Sequence, residues 1–422
     1  MSYFLFFFYT LAIHLGNVYI YLGRLFSPKL ASMYFGRKQT WSILDTFSQN
    51  HKNACWIHCA SLGEFEQGRP LIEKMKLKFP HMPILLSFYS PSGYEIMKHY
   101  DRVDGVIYLP SDLPSNNKKL IQLIDPSMVI FVKYEFWWNL LNILTQKEIN
   151  VFLVSAVFRS GNYFFSPLFR PFLSILAKYQ QIFVQDENSS RILSQHDIIN
   201  HTISGDTRVD RVIQRSKSAE IPKNIMNYCT STTTIVYGSV WMTDMFVVAD
   251  CIKKFPEMMH ILAPHDISMS NIQKIRSAIN EPSDLYSDCE WHQKVMIIDN
   301  IGMLGGLYQI AKYAFIGGGF QNGIHNILEP AVFRLPVFFG PNFKKFNEAL
   351  YLTNNELAFT VTKSLEMTEK IHSLEHNHSA CQAISDGLSQ YFHQNKGATD
   401  DILSAIDPYI TQNYKNLDDA KH

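Results

Sequence analysis

The sequence predicts an α/β protein in which two doubly wound domains follow an apolar N-terminal helix. Three observations lead to this fold class. Short apolar runs alternate with longer amphipathic runs, a polar stretch divides that alternation into two series, and no formally charged side chain occurs from Tyr3 to Leu22. Strand-helix alternation at this spacing indicates parallel sheets covered by helices on both faces. At roughly 150 residues per domain, a chain of 422 residues has room for two or three domains.

The N-terminal segment is the first predicted element. As a helix, Tyr3 to Leu22 would span about 30 Å, the thickness of a bilayer core. Arg24 and Lys29 follow it, and the positive-inside rule then places the rest of the chain in the cytoplasm. We therefore expect residues 1–40 to form a single N-terminal membrane anchor with its juxtamembrane segment. Two alternatives stay open at this point: a secretory signal peptide, and a helix that is buried or lies in the membrane plane.

Two series of apolar runs predict the strands of the two domains. Helical patterns such as Arg69 to Phe79 and Leu113 to Ile124 lie between them. The first series is Ala54 to Cys59, Ile84 to Phe88, Val106 to Leu109, Met128 to Val132, Val151 to Ser155 and Gln181 to Val184; the second is Thr234 to Tyr237, Met259 to Ala263, Val295 to Ile298, Ala314 to Ile316 and Val337 to Phe339.

The polar stretch from Arg211 to Tyr228 has few apolar anchors and is predicted to be the linker. It separates an N-terminal domain, residues 41–215, from a C-terminal domain, residues 216–422, that ends in helices. Ligands of such sheets bind at the carboxyl ends of the strands, here in a cleft between the domains.

Composition excludes several classes of protein. With 38 basic and 38 acidic residues, the formal net charge is zero. That balance argues against a generally basic nucleic-acid binder and against an acidic disordered chain. Hydrophobic residues make up 46% of the chain, as in globular proteins. Six cysteines are too few for a disulfide scaffold and fit a reducing compartment.

The turn after the first predicted strand carries a candidate general base. Small residues from Ala60 to Gly63 permit a tight turn before the next helix, and Glu64 follows them directly. A carboxylate at that place would point to the ligand-binding edge, where apolar surroundings raise a carboxyl pKa toward the range of a base. The alternative is that Glu64 only interacts with the dipole of its helix.

A second carboxylate stands at an equivalent position. Glu135 follows the predicted strand Met128 to Val132 and is surrounded by Tyr134, Phe136 and Trp137. Two carboxylates at the ends of two strands of one sheet form a more specific pattern than either alone. The alternative is a structural ion pair between Glu135 and Lys133 beside ordinary core aromatics.

The glycine-rich segment from Ile316 to Pro330 is the strongest local signal. A strand leads into Gly317, Gly318 and Gly319, and a helix is predicted to start near His325 or Asn326. Glycines let the backbone approach a ligand, and the first N–H groups of a helix suit a phosphate. Glu329 would accept hydrogen bonds from ribose hydroxyls. The alternative is a tight connection that binds nothing.

Other motifs are missing from the sequence. It contains no Asp-x-Asp pair for a metal-bound diphosphate, no Walker A motif and no Gly-x-Ser-x-Gly nucleophile elbow. The sequence therefore gives no indication of a metal-bound diphosphate or of another bound cofactor.

Taken together, these segments resemble the 3-deoxy-D-manno-octulosonic acid (Kdo) transferases of lipopolysaccharide biosynthesis, from the N-terminal anchor to about residue 350. The resemblance rests on ordered segments, which are Trp56 to His58 with Ser61 to Glu64, Tyr134 to Trp137 with Asn139, Ser204 to Arg208, Gly238 to Trp241, Ala263 to His265, Asp299 to Leu304, and Gly317 through His325 and Pro330 to Pro341.

The resemblance implies a GT-B fold and the transfer of Kdo from CMP-Kdo to the lipid A precursor (lipid IVA), with inversion and without a metal. Two Rossmann-like domains would flank a cleft, with the acceptor side N-terminal and the nucleotide-sugar side C-terminal. The chain would then act at the inner membrane, with its catalytic domains on the cytoplasmic face. CMP-Kdo, the lipid A precursor and the bilayer would be its partners, and nucleic acid would not.

The same resemblance assigns roles to residues. The catalytic residues would be Glu64, as the general base, and Glu135. The acceptor-binding residues would be Ser61, Gly63, Lys133 and Trp137. The donor-binding residues would be Gly238, Ser239, His265, Gly302, Gly318, His325, Asn326 and Glu329.

The sequence also departs from the family pattern. Lys133 stands where many relatives carry an acid, and His265 and Asp266 follow Ala263-Pro264 where the family has an Arg that binds the donor. Two other functions stay open: a nucleotide-sugar 2-epimerase of the same fold, and a secreted two-domain binding protein.

Overall fold

The computed structural model describes residues 2–166, 169–288 and 290–419. The chain forms two compact units, which are Met1–Arg211 with Lys396–His422 (unit 1) and Val212–Asn395 (unit 2).

Unit 1 is built on a parallel sheet of seven strands among its described residues, in the order β3-β2-β1-β4-β5-β6-β7. Its strands are β1 Ala54–Cys59, β2 Ile84–Phe88, β3 Gly105–Tyr108, β4 Pro126–Val132, β5 Asn150–Ala156, β6 Gln181–Val184 and β7 His201–Ile203. Its helices are α1 Ser2–Gly23, α2 Pro28–Asn50, α3 Leu62–Lys78, α4 Pro91–Met97, α5 Pro114–Ile124, α6 Trp138–Gln146, α7 Arg170–Leu176 and α8 Glu187–Gln195, with α9 Thr207–Ser218 crossing the boundary between the units.

Unit 2 repeats this architecture. Its described residues form a second parallel seven-stranded sheet, in the order β10-β11-β9-β8-β12-β13-β14. The strands are β8 Thr234–Val240, β9 Met259–Pro264, β10 Asp284–Leu285, β11 Val295–Ile297, β12 Tyr313–Ile316, β13 Val337–Phe339 and β14 Ala358–Thr360. The helices are α10 Lys223–Cys229, α11 Met245–Lys254, α12 Met269–Ile279, α13 Leu304–Leu307, α14 Leu328–Ala331, α15 Asn347–Asn354, α16 Ser364–Glu375 and α17 His378–Asn395.

The predicted fold class is confirmed, and the central strands explain why. Every residue of β1, β2 and β12 is buried, as expected of parallel strands covered on both faces. The sequence therefore shows them as mostly apolar runs. The prediction missed β7, β10 and β14, which are only two or three residues long and lie at or near the sheet edges.

Two parts of the predicted domain organisation differ from the structure. The stretch predicted to be a linker is largely helical: α9 and α10 cover most of it. Val209 and Val212 are buried on one side of α9, so a few apolar residues at helical spacing suffice to pack a strongly polar helix.

The C-terminal helix of the chain belongs to unit 1. Lys396–His422, which includes α18 Ala398–Asp419, groups with unit 1 rather than with the C-terminal domain of the sequence prediction. Ile402, Ile406 and Ile410 are completely buried in the core that covers one face of the unit 1 sheet. The carboxylate of Asp210 holds the start of this helix, because it accepts hydrogen bonds from the backbone N–H groups of Gly397 and Thr399, both at 2.7 Å.

The first two helices form the N-terminal part of unit 1. Within α1, the stretch Phe6–Gly23 is long and apolar enough to cross a membrane by length and composition. The following helix, α2, packs against β3, where Thr40 Oγ1 donates to the carbonyl oxygen of Tyr108 at 2.9 Å. Tyr9 and Asn17 of α1 bond to residues of the loop after β3.

Candidate functional site

Strand order places the two catalytic candidates at a topological switch point. In unit 1, β1 and β4 are neighbours, with β2 and β3 on one side and β5 to β7 on the other. Ligands of open α/β sheets bind outside the carboxyl ends of the strands at such a point. Glu64 comes five residues after the end of β1, and Glu135 comes three residues after the end of β4. The fold therefore brings both carboxylates to the ligand-binding edge of unit 1.

Glu64 lies in the first turn of α3, half-buried. Ser61, in extended conformation at the N-cap, donates its hydroxyl to Glu64 Oε2. Gly63 is exposed, and a Cβ atom at this position would contact only Ser61 Oγ, at 3.7 Å. The backbone turn before Glu64 is therefore open, and Glu64 itself is only half-buried. The positive end of α3 stabilises its negative charge.

Glu135 is held in a buried network. Its side chain is 4% exposed, and Trp137 Nε1 donates to its Oε2. The Nε2 atom of His58 lies 3.4 Å from the same oxygen, and the hydroxyl of Tyr179 donates to the Glu135 carbonyl at 2.5 Å. Ser87 Oγ lies 2.8 Å from His58 Nδ1 and fixes the imidazole. The environment of Glu135 thus differs from that of the half-buried Glu64.

Cys59 lies close enough to both carboxylates for their charges to affect its thiol. This thiol, the last residue of β1, is completely buried. Burial raises its pKa well above the ordinary value, and the charges of Glu64 and Glu135 act in the same direction. Burial likewise raises the pKa of Tyr134, with Arg159 opposing that effect and Glu64 adding to it. One patch at the carboxyl edge therefore contains both carboxylates, a tyrosine and an arginine.

One of the predicted acceptor residues, Lys133, has a strained backbone. Lys133 adopts φ = 76°, which is uncommon for a residue with a side chain, and its N–H donates to the carbonyl of Val154 at 2.9 Å. Strain of this kind concentrates at functional sites. The ring of Trp137 lies 5.2 Å from that of Tyr89, which also carries the guanidinium of Arg37 at 4.8 Å.

The sequence alone assigned no role to Arg37, and it included His58 only as part of the family-like segment Trp56 to His58. Each lies on a different element from the carboxylates, so no local spacing shows their roles. His58 carries a weak signal, because it is a polar residue inside an otherwise apolar strand.

A second switch point lies in unit 2, between β8 and β12. Gly238 and Ser239 stand near the end of β8, and Gly318 follows β12. Ser239 has φ = 53° and Gly318 has φ = 89°, so the backbone takes left-handed conformations on both sides of the switch point. A Cβ atom at Gly238 would collide with the hydroxyl of Tyr308, which explains the glycine there.

The carboxylate of Asp244 ties these two strand ends together. Asp244 is fully buried and accepts hydrogen bonds from the N–H groups of Trp241, at 2.7 Å, and Gly318, at 3.1 Å. Burial raises its pKa, and the two backbone hydrogen bonds partly offset that effect. Sequence reasoning missed Asp244. The available signal was the three-residue spacing from Trp241, which forms a capping box.

Two histidines and a tryptophan stack beside the glycine-rich turn. The ring centroids of Trp241 and His265 are 4.2 Å apart, and those of His265 and His325 are 4.7 Å apart. Trp241 Nε1 donates to His325 Nε2 at 3.0 Å, so that nitrogen carries no proton. Burial lowers the pKa of His325 to about 4, with a contribution from His265, and burial also lowers the pKa of His265. Both rings are therefore neutral at pH 7, and His265 does not supply the positive charge of the family's arginine.

Two further predicted donor residues line a cavity of about 220 Å³ in unit 2. Glu329 and Gly302 line it together with Arg215 of α9. Arg215 Nη1 lies 3.5 Å from Glu329 Oε1. Gly302 has φ = 100°, with open space around its Cα. Arg215 therefore provides a cation in this cavity that sequence reasoning did not assign, because the residue lies within the predicted linker.

The predicted helix start at His325 or Asn326 is wrong. The helix α14 begins at Leu328 and has four residues. The N–H group of His325 donates to the carbonyl of Gly317 at 3.2 Å, and Asn326 Oδ1 accepts from the N–H of Leu328 at 3.2 Å. The His325 N–H group and the Asn326 side chain are thus used in hydrogen bonds within the turn, so they do not begin a longer helix. A helix of four residues has only a small dipole with which to bind a phosphate.

Among the described ranges 2–166, 169–288 and 290–419, no group of three or more His, Cys, Asp or Glu side chains is placed to hold a metal ion.

Comparisons with known proteins show what this chain is similar to. Residues 35–211 match the family of 3-deoxy-D-manno-octulosonic-acid transferases (kdotransferases). The 3-deoxy-D-manno-octulosonic acid transferase of Aquifex aeolicus is 27% identical over 334 residues, which cover 77% of this chain and 87% of that protein. A bifunctional glycosyltransferase/methyltransferase of Fusobacterium nucleatum is 25% identical over 361 residues, or 81% of this chain. That match covers 55% of the relative, so this chain spans about half of its length.

Solved structures show the same fold. A putative UDP-N-acetylglucosamine 2-epimerase from Listeria monocytogenes superimposes with a TM-score of 0.60 and 12% identity, covering 86% of this chain and 98% of that one. This likeness concerns the fold alone, which is of the GT-B type. The sequence relatives carry the functional information: this chain is similar to Kdo transferases over most of its length, and residues 35–211 match the model of that family.

Proposed function

We propose that this protein transfers Kdo from CMP-Kdo to the lipid A precursor, lipid IVA, at the cytoplasmic face of the inner membrane. The observation that carries the proposal is the pair of carboxylates at the switch point of unit 1. Glu64 is only half-buried and Glu135 is buried, in a chain whose relatives are Kdo transferases.

Glu64 is the general base of the proposed reaction. A hydroxyl oxygen of the acceptor attacks the anomeric carbon of Kdo, and the bond from that carbon to the CMP phosphate oxygen breaks as the new glycosidic bond forms. Attack from the side opposite the leaving group inverts the configuration. The proton of the acceptor hydroxyl passes to the Glu64 carboxylate, which the Ser61 hydroxyl orients. Ser61, Gly63, Lys133 and Trp137 surround this place and form the proposed acceptor surface.

Unit 2 supplies the proposed donor groups. CMP gains negative charge as it leaves, and a fixed positive group stabilises that charge without rearrangement. Because the histidines of the aromatic stack are neutral at pH 7, Arg215 in the cavity with Glu329 is the cation we assign to this role. Glu329 would bind ribose hydroxyls, and Trp241 and His265 offer flat rings to a base. The proposed reaction needs no metal.

The decisive experiment is a transfer assay with membranes that contain the full chain, CMP-Kdo and a tetraacylated lipid A precursor, with the products weighed by mass spectrometry. Addition of one or more Kdo residues, unaffected by EDTA, supports the proposal. Intact CMP-Kdo binding without any transfer would contradict it. An epimerised nucleotide sugar in place of a transfer product would favour the 2-epimerase alternative, which so far has only the likeness of fold in its favour.

A donor-site variant tests the assignment in unit 2. Glu329→Ala should weaken CMP-Kdo binding at least tenfold, about 1.4 kcal/mol, since it removes a charged hydrogen-bond acceptor. Titration calorimetry measures the affinity. Glu375→Ala is the matched control, because Glu375 pairs with Lys312 and does not line the cavity. Equal affinity in all three proteins would remove Glu329 from the nucleotide site.

A further inference from the structure

The N-terminal helix α1 has two different sides. Half-buried and buried residues recur at positions 6, 9, 10, 13, 16, 17, 20 and 23, and exposed residues fill the positions between them. This spacing follows the period of an α-helix, so one continuous stripe is protected. Ile20 is only 8% exposed. A helix surrounded by lipid on all sides would show no such stripe.

Hydrogen bonds identify what protects that stripe. The hydroxyl of Tyr9 donates to Asp112 Oδ2 at 2.5 Å, and Ser111 Oγ donates to Asn17 Oδ1. Tyr9 and Asn17 are eight residues apart, or about 12 Å along the helix axis. Both contacts fall within Phe6–Gly23, the part of α1 that could cross a membrane. The middle of that segment therefore lies directly against the loop after β3.

The loop belongs to unit 1, and its polar groups do not suit the core of a bilayer. Asp112 is 2% exposed and also accepts from the N–H groups of Asn139, at 3.0 Å, and Leu140, at 2.9 Å, in the first turn of α6. If α1 crossed the bilayer, this loop and the start of α6 would lie at the membrane midplane. Irregular backbone in contact with lipid does not occur at that depth. The contacts of α1 are therefore incompatible with a helix that crosses the bilayer beside unit 1.

The exposed side of α1 is apolar and continues beyond the helix. Its large side chains are between 40% and 88% exposed. They are Phe7, Phe8, Leu11, Leu15, Val18, Tyr19 and Leu22 on α1, and Leu25 and Phe26 in the turn that follows. An exposed face that is apolar apart from His14 marks a membrane or protein contact.

Charge decides in favour of a lipid surface. The first acidic residue of the chain is Asp45, whereas Arg24, Lys29, Arg37 and Lys38 precede it. Lys29 and Lys38 are exposed. An apolar helix face bordered by exposed cations fits the interface of a bilayer that contains anionic lipids.

We propose that α1 does not cross the bilayer but lies in the plane of its interface, with one side on the Ser111-Asp112 loop and the other in lipid. This inference deepens the proposed function and rests on its membrane contact, although not on sugar transfer. Both ends of α1 are then on the same side of the membrane as the two units. Because the loop adjoins α6, which directly follows Glu135 and Trp137, the lipid contact lies next to the acceptor side of unit 1.

Depth measurements on the full chain test the inference. Single cysteines replace Phe8, Leu15 and Leu22, which lie seven residues apart on the exposed side, after Cys289 and Cys381 are changed to Ser. Each carries a nitroxide label in vesicles of phosphatidylethanolamine and phosphatidylglycerol. We expect three similar depths close to the headgroups. A crossing helix would separate the first and last labels by about 20 Å along the membrane normal, and that gradient would overturn the inference.

Two controls separate this inference from the proposed function. A label at Leu77, which is 80% exposed on α3, should stay in water. If none of the α1 labels enters lipid, the membrane contact itself is wrong. The transfer assay is run on the same vesicles. Equal label depths without transfer would contradict only the proposed reaction, and transfer with a depth gradient would contradict only the orientation of α1.

Discussion

Replacement of Glu64 by Gln is the sharpest test of the proposed chemistry. The amide keeps the volume of the side chain and an oxygen that accepts the Ser61 hydroxyl, so the fold should be unaffected. The site is half-buried and not part of the core, and we expect a change in unfolding free energy within about 0.5 kcal/mol. The amide cannot accept a proton at neutral pH. Loss of a general base lowers turnover by about 10²- to 10⁴-fold, which is about 3–5 kcal/mol in the barrier.

The buried carboxylate, Glu135, should respond differently to replacement by Gln. In Glu135→Gln, the amide oxygen still accepts from Trp137 Nε1, and His58 Nε2 lies beside that same oxygen. The variant removes a charge near Glu64 without removing the base. We therefore expect a smaller loss of turnover, on the order of tenfold.

The assay measures the initial rate of Kdo transfer at saturating CMP-Kdo, together with donor affinity and the urea midpoint of each variant. Glu66→Gln is the matched control, since Glu66 lies on the same helix and pairs with Arg69 at 3.4 Å. It should keep full activity. A Glu64→Gln protein that binds CMP-Kdo normally and retains more than a tenth of the turnover would refute the assignment of the base.

Three further predictions concern stability. Burial lowers the pKa of His260 to about 4. The unfolded chain therefore binds the extra proton first, and the native protein should lose roughly 3 kcal/mol between pH 6.5 and pH 4 that His260→Gln does not lose, as measured by urea unfolding. In Gly317→Ala, the new methyl group would collide with the carbonyl of Ser239 and lie 2.7 Å from Val240 Cα, which should destabilise unit 2 by roughly 1–3 kcal/mol in thermal unfolding. Asp210→Ala removes the acceptor for Thr399 and should expose α18 to hydrogen exchange, at a loss of roughly 1–3 kcal/mol.

Each of these predictions has its own control. An unchanged pH profile in His260→Gln would show that another group causes the acid sensitivity. Gly305→Ala should leave the midpoint unchanged, because its methyl group would meet only Arg215 Nη2, at 3.8 Å. Normal protection of α18 in Asp210→Ala would mean that apolar burial alone holds the helix.

The strands and the glycine-rich turn could be predicted because their causes are local. Parallel strands covered on both faces are mostly apolar, so β12 appears in the sequence as a continuous apolar run and β1 as a run that only His58 interrupts. Since ligands bind at the carboxyl ends of such strands, Glu64 and Glu135 could be proposed from position alone. The strand neighbours at the switch points required the sheet order, which the sequence does not show.

Other features of the site depend on contacts between residues far apart in the chain, so only the tertiary structure shows them. The pairing of His58 with Glu135 joins residues of two strands, and Arg215 joins Glu329 from a helix that looked like a linker. The amphipathic pattern of α18 predicts a helix but not which unit buries it. The apolar composition of α1 likewise predicts a membrane contact, whereas only its hydrogen bonds with Ser111 and Asp112 show which side of the helix unit 1 covers. The hydrophobic pattern predicts that one face of a helix is buried, but only the folded structure shows which residues cover that face.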